Sequence, residues 1–166
     1  MKVLVVYFSR SGHTAEVARA IANTFDAAIE AIDDPTPRAG IIGYLRSGYE
    51  AGRRRLPHVG DPKHDLRAYD LVVVGTPVWN ANVSSPVRAF LVHNRKELPR
   101  VAFFCTCGGR GAQRAFREMS AACGKSPTDV LALRGVDLSR DWSAKVDRFA
   151  SDLRAVLEPK VAAPAA

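Results

Sequence analysis

The chain has 166 residues, 47% of them hydrophobic, and its 24 Lys and Arg against 17 Asp and Glu give a formal net charge of +7. That length suits one domain, and the apolar fraction is enough for a packed core, which excludes a disordered chain. No apolar run is long enough to cross a bilayer, the N-terminal one is too short for a signal peptide, and an odd three cysteines speak against a disulfide framework, so a cytoplasmic protein is expected.

The basic charge concentrates at Arg53, Arg54 and Arg55, with Arg46 nearby. An anionic substrate, an acidic protein, a membrane surface or nucleic acid would each suit it, and so would a plain solvated face. Nucleic acid is disfavoured, because aromatic residues do not interleave with the arginines and no zinc-finger or RNP-type motif is present.

In chain order, the apolar run Val3–Phe8 reads as a first strand and is followed by Ser9-Arg10-Ser11-Gly12-His13-Thr14. Val17, Ile21 and Phe25 then recur every four residues, as on one face of a helix. A strand, a hydroxyl-rich turn with one glycine and a helix start form the layout of a phosphate-binding loop. The helix N-terminus offers N–H donors and partial positive charge, the hydroxyls add donors, and glycine lets the backbone come close. The spacing is neither the P-loop nor G-x-G-x-x-G, so a terminal phosphomonoester fits better than a Mg-nucleotide or a dinucleotide. An ordinary Ser/Thr-capped helix start is the plain alternative.

A weaker strand follows at Ala28–Ile32, then a long segment from Pro35 to His64. Its middle, Ile41 to Arg55, reads as a helix with Ile41, Leu45 and Tyr49 on one face, and Pro57, Gly60 and Pro62 mark a loop. Strands are expected at Leu71–Gly75, Val101–Cys105 and Val130–Leu133. Pro86 opens a helix burying Val87, Phe90 and Leu91, Ala112–Cys123 forms another around Phe116 and Met119, and a last one aligns Trp142, Val146, Phe149, Leu153 and Val156. These strands are apolar throughout rather than alternating, which marks a parallel sheet covered on both faces. The repeated β-α order predicts a single doubly wound α/β domain over residues 1–157, with a Pro/Ala-rich disordered tail at 158–166.

Ligands in such a fold bind at the carboxyl ends of the strands. Besides the first loop, two others leave those ends with unusual chemistry: Thr76-Pro77-Val78-Trp79-Asn80-Ala81-Asn82 and Thr106-Cys107-Gly108-Gly109-Arg110-Gly111. Trp79 can stack on a planar heterocycle, or else fold over an apolar edge or a subunit interface. The glycines of the third loop suit backbone lying close to a ligand, or simply a tight turn.

With FSRSGHT at 8–14, GTPVWNANVSSPVRAFL at 75–91 and FCTCGGRG at 104–111, the chain resembles the flavodoxin-like FMN-binding family along nearly its whole length. The resemblance implies a five-stranded, three-layer α/β/α fold with strand order 2-1-3-4-5 and FMN at the carboxyl edge. It implies that Ser9, Arg10, Ser11, Gly12, His13 and Thr14 hold the phosphate. Thr76, Pro77, Val78, Trp79 and Asn80 would flank the isoalloxazine, and Cys107, Gly108, Gly109, Arg110 and Gly111 would close its pyrimidine side.

The chain departs from the family's electron carriers in three ways. Those are typically acidic, and this chain is basic. Their third loop usually supplies an aromatic over the second flavin face, whereas this one holds Arg110. That leaves a face open to a substrate, as in the quinone-reductase branch, unless Tyr44 or Tyr49 of this chain, or of a partner in a homodimer, covers it. Carriers also flip a peptide, commonly at a glycine, to favour one-electron reduction; here Asn80 best tolerates positive φ, so that state is expected to be weaker.

The flavin carries the chemistry, so no catalytic side chain is needed. Cys105 is expected to end a buried strand and Cys107 to be more exposed and open to oxidants, while the C-x-C spacing without a second pair speaks against zinc. His13 suits a phosphate contact or a surface position equally, and His58, His64 and His93 are scattered. Three functions follow. The first is an FMN-dependent oxidoreductase drawing on NAD(P)H or a reductase and reducing a quinone-like acceptor. The second is an electron shuttle docking on an acidic redox partner. The third is a flavin-free scaffold binding anions through its arginines.

Overall fold

The computed structural model describes residues 1–36 and 40–157, with residues 40–42 and 44 described by backbone alone; the expected tail at 158–166 lies outside the described residues. The elements run β1 (Val3–Tyr7), α1 (His13–Phe25), β2 (Ala28–Ala31), α2 (Gly40–Gly52), a 3-10 turn at Leu66–Ala68, then β3 (Leu71–Trp79), β4 (Asn82–Val83) and α3 (Ser85–His93). They continue with β5 (Arg100–Cys107), α4 (Ala112–Cys123), β6 (Val130–Arg134), α5 (Gly135–Leu138) and α6 (Ser143–Leu157). The sheet order is β2-β1-β3-β5-β6, all parallel, with β4 antiparallel against the end of β3. Set the short β4 aside and this is the expected 2-1-3-4-5.

Strand side chains alternate between two cores, one on each face of the sheet. Leu4, Val6, Val72, Val74, Val101 and Phe103 meet Phe90 of α3 and Met119 of α4. Val3, Val5, Leu71, Val73, Ala102 and Phe104 meet Val17 and Ile21 of α1 and Phe149 and Leu153 of α6. Both sets are apolar, which is why these strands show no alternation in sequence. Glycine is required at one position in this layer. Gly75 pairs with Phe104 across β3 and β5, and a Cβ on Gly75 would stand 2.0 Å from the Phe104 ring.

On α2, Leu45 and Tyr49 share one face, which is exposed, while Ser47, Glu50 and Ala51 are buried; the Ile41 side chain lies outside the described residues. The inward side is polar but satisfied: Ser47 Oγ donates to the Gly43 carbonyl at 2.7 Å, and Glu50 accepts from Arg46 Nε at 2.8 Å and Ser85 Oγ at 3.3 Å. On α6, Val146, Phe149 and Leu153 are buried as expected, but Ala150 joins them and Val156 is exposed. Among the described residues no helix is long and apolar enough to cross a membrane.

Candidate functional site

The strands do not stop where their apolar runs stop. β3 continues past Gly75 to Trp79 and β5 past Cys105 to Cys107, so much of the two expected loops is strand. The overrun raises walls at the carboxyl edge around a cleft of about 450 Å³. Arg10, Ser11 and His13 line it from the loop after β1, and Pro77, Val78 and Trp79 from the end of β3. Thr106, Cys107 and Gly108 line it from the end of β5, and Gly135, Leu138 and Ser139 from α5 and its exit.

At the first loop, Gly12 N–H donates to Ser9 Oγ at 3.1 Å, which closes the turn. Gly12 caps α1 at φ 99, and no side chain caps the first turn of the helix, so its leading N–H groups are left for an anion. Thr14 turns inward instead. It is buried, and its Oγ1 lies 2.8 Å from that of Thr106, tying the start of α1 to β5.

At the second loop, Trp79 is buried and meets Phe8 edge-on, with centroids 5.6 Å apart and planes at 86°. Val78 pairs with Val83 and Trp79 with Asn82, leaving Asn80 and Ala81 as a two-residue hairpin turn. Both have positive φ, 48° and 58°, as a type I′ turn requires. Asn suits that conformation; Ala at the second position is strained. Thr76 does not face the cleft: it is fully buried, and its Oγ1 accepts the Ser84 N–H at 3.1 Å. Asn80 lines a neighbouring cavity of about 360 Å³ with Leu45, Gly48, Tyr49, Val78 and Trp79. Tyr49 therefore stands beside Trp79 in that second cavity and is not among the cleft residues; the Tyr44 side chain lies outside the described residues.

At the third loop, Gly108, Gly109 and Arg110 are exposed, and only Gly108 lines the cleft. Gly111 caps α4 at φ 99, with its Cα so close to the hairpin that a Cβ would stand 2.6 Å from Ala81 Cα. Cys105 and Cys107 share one face of β5, and both are buried, so Cys107 is less exposed than expected even though it lines the cleft. A hydrogen bond from the Cys105 thiol, helped by the Gly109 N–H and Arg134, outweighs burial and brings the Cys107 thiol down to about 7. The same bond, then burial, drives the Cys105 thiol up.

The sequence reading missed α5. Its signal was Gly135 directly after the last apolar strand, at the same sheet edge. Arg134 N–H donates to Asp137 Oδ2 at 2.8 Å, and Lys145 holds Asp137 Oδ1 at 2.7 Å. That lysine bond, then the Arg134 N–H, keeps the Asp137 carboxyl below its ordinary value. Gly135 lies so near the third loop that a Cβ would come within 3.3 Å of the Gly108 carbonyl oxygen. Among the described residues no group of His, Cys, Asp and Glu could hold a metal ion.

A doubly wound sheet with an uncapped helix N-terminus and an aromatic wall at its carboxyl edge is an arrangement suited to a phosphate-bearing planar ligand. The sequence profile described as Flavodoxin matches residues 2–145, and the chain belongs to that family. Its fold is that of a flavoprotein from Lactobacillus acidophilus NCFM solved in complex with FMN (22% identity, TM-score 0.72, covering 90% of this chain and 98% of that one). It is also that of a protein from Bacteroides eggerthii DSM 20697 provisionally named a flavoprotein (20% identity, TM-score 0.76, 96% and 99% covered). A flavodoxin, WrbA-like protein from Agrobacterium tumefaciens shares it at 18% identity and TM-score 0.53, with 93% and 98% covered. No curated protein matches the chain.

Proposed function

We propose that this chain is an FMN-dependent oxidoreductase, taking electrons from NAD(P)H or a reductase and passing them to a quinone-like small acceptor. Family membership and the FMN complex of the Lactobacillus flavoprotein support the cofactor. The residues present fit it. The cleft has the volume of a cofactor site, α1 aims uncapped N–H groups at it, and Arg10, Ser11 and His13 stand at that end to hold a phosphate. Pro77, Val78 and Trp79 would orient the ring system on one side. On another side Gly108 and Gly135 line the cleft, and Gly135 packs so near the third loop that a Cβ on it would stand 3.3 Å from the Gly108 carbonyl oxygen. When bound, FMN supplies the electron and hydride chemistry.

One observation carries the choice of an enzyme: among the described residues Trp79 is the only Trp, Tyr or Phe lining the cleft. The β5 side presents Cys107 and Gly108, which leave room for a second planar molecule. Adding FMN to the purified protein, following its visible spectrum, and then assaying NADH and NADPH with a panel of quinones tests the reading. Saturable FMN binding and turnover are expected. A protein that stays colourless would remove the flavin function, and FMN binding without turnover on any pair would remove the enzyme.

One feature favours a shuttle as the second reading. Tyr49, beside Trp79, carries Arg53 and Arg55 over its ring at 5.5 and 5.8 Å, a basic aromatic apron next to the cleft that suits an acidic partner. Anaerobic titration in which two electrons enter as separate steps would support that function.

A further inference from the structure

The arginine cluster visible in sequence splits in space. Arg53 and Arg55 lie over Tyr49, while Arg54, at φ 53, lines a different cavity. That cavity, about 660 Å³, sits against α3 and α4 and shares no lining residue with the cleft. Among the described residues Arg54, Arg88, Arg114 and Arg117 line it with a single carboxylate, Glu118, and Val92 adds apolar surface.

Glu118 is a hub. Its Oε2 lies 2.8 Å from Arg88 Nη2 and accepts the Val83 N–H at 3.2 Å. Its Oε1 lies 3.4 Å from Arg114 Nε and 3.7 Å from Arg54 Nη2. Arg88 is itself buried, and its Nη1 also donates to the Ala51 carbonyl at 3.3 Å, so two elements fix it. Among the described residues Arg117 pairs with no carboxylate. Four guanidiniums against one carboxylate leave three positive charges in excess around one concavity. A solvated basic face keeps its cations extended and apart. Here one acid gathers three of them and one is held out of water. Burial, together with the like charges of Arg54 and Arg114, works against the Arg88 guanidinium, and a bound anion would relieve that.

We infer that this cavity is a second anion site, built for the phosphate or pyrophosphate group of a small molecule and separate from the FMN cleft. Every cation in it is arginine, whose planar fork matches phosphate oxygens in pairs. The site is an open depression whose volume of about 660 Å³ accommodates a nucleotide-sized solute. Each guanidinium has five donors, and the contacts to Glu118 and Ala51 use only a few of them. Val92 offers an apolar surface to the rest of such a ligand.

The test is calorimetric titration of the FMN-saturated protein with inorganic pyrophosphate at low ionic strength, where the phosphate end of the cleft is already filled. Saturable binding is expected, weakened about tenfold or more in Arg117→Ala and again in Arg114→Ala/Arg117→Ala, with FMN affinity unchanged. Both side chains are exposed, so these variants fold. Should the protein bind no FMN, the same titration on Arg10→Ala and on Arg117→Ala separates the two sites: loss only in Arg117→Ala supports this one. Absence of saturable heat, or binding indifferent to both arginines, would overturn the inference. Polyglutamate binding through the same arginines in preference to pyrophosphate would overturn it in favour of an acidic protein.

Discussion

α1 and α4 begin alike, on Gly12 and Gly111, each at φ 99. Alanine at either position meets the same backbone penalty, on the order of 1–2 kcal/mol for an L-residue held left-handed. The loss of unfolded-state freedom is also common to both and cancels in the comparison. Their surroundings differ. Nothing lies within 4 Å of a Cβ on Gly12, whereas one on Gly111 would stand 2.6 Å from Ala81 Cα and 3.0 Å from both Ala81 Cβ and Val78 Cγ1. The shortest contact falls about 1 Å inside the 3.5–4.0 Å optimum for carbon pairs. Ala81 cannot rotate away, because it is backbone at φ 58 in a two-residue turn. Overpacking of this kind adds roughly 1–3 kcal/mol. Gly12→Ala should therefore cost about 1–2 kcal/mol and Gly111→Ala about 2–5 kcal/mol. Each kcal/mol lowers Tm by roughly 2–4 °C in a chain of this size. Thermal and urea unfolding without added FMN measures both, free of ligand linkage. FMN titration should then show Gly111→Ala weakening binding through the displaced hairpin that carries Trp79. Equal stability losses in the two variants would refute the reasoning, because the difference rests entirely on the contact with Ala81.

Gly75→Ala should destabilise by about 3 kcal/mol, the upper end for overpacking, and Phe104→Leu in the same chain should recover at least about 1 kcal/mol of it; strict additivity in a urea double-mutant cycle would contradict the ring contact. Ala81→Gly should stabilise the apo protein by about 1 kcal/mol by releasing the left-handed strain, and lower stability on urea unfolding would show the turn is not type I′. Iodoacetamide labelling of Cys107 in the apo protein should rise with pH through about 7 as the thiolate forms, and added FMN should slow it. In Cys105→Ser the serine hydroxyl donates in place of the thiol and the rise should stay low, whereas in Cys105→Ala it should move up toward the ordinary cysteine range; an unmoved profile in Cys105→Ala would show the pairing does not set the thiol.

Element types and sheet order were legible because strands buried on both faces carry unbroken apolar runs, and because α1, α3, α4 and α6 repeat their apolar residues at helical spacing. What failed to show has physical causes. Leu45 and Tyr49 of α2 are exposed while Glu50 is buried with Arg46 and Ser85 as partners, and hydrophobicity cannot register a satisfied carboxylate. The hairpin at Asn80–Ala81 lacks the Asn-Gly pair that marks such turns, so it read as loop. α5 is too short for any periodicity. Of the first loop, Arg10, Ser11 and His13 line the cleft, whereas Thr14 and Thr76, equally polar in sequence, are used internally to join α1 to β5 and β3 to α3.

The wall that carries Trp79 is braced from outside the cleft, and the braces explain residues that ligand contact alone does not. Beyond Gly75 the end of β3 keeps β5 as a neighbour only as far as Pro77, so the hairpin of β3 and β4 needs other support. Phe8 meets Trp79 edge-on, Gly111 lets the start of α4 close on Ala81, and Glu118, two turns further along α4, accepts the Val83 N–H. Two of those three contacts come from α4, and Glu118 is also the hub of the arginine cavity. Removing the Glu118 carboxylate would therefore loosen the hairpin on one side and leave four neighbouring guanidiniums uncompensated on the other. That double role accounts for a largely sequestered carboxylate on a helix that exposes Arg114 and Arg117.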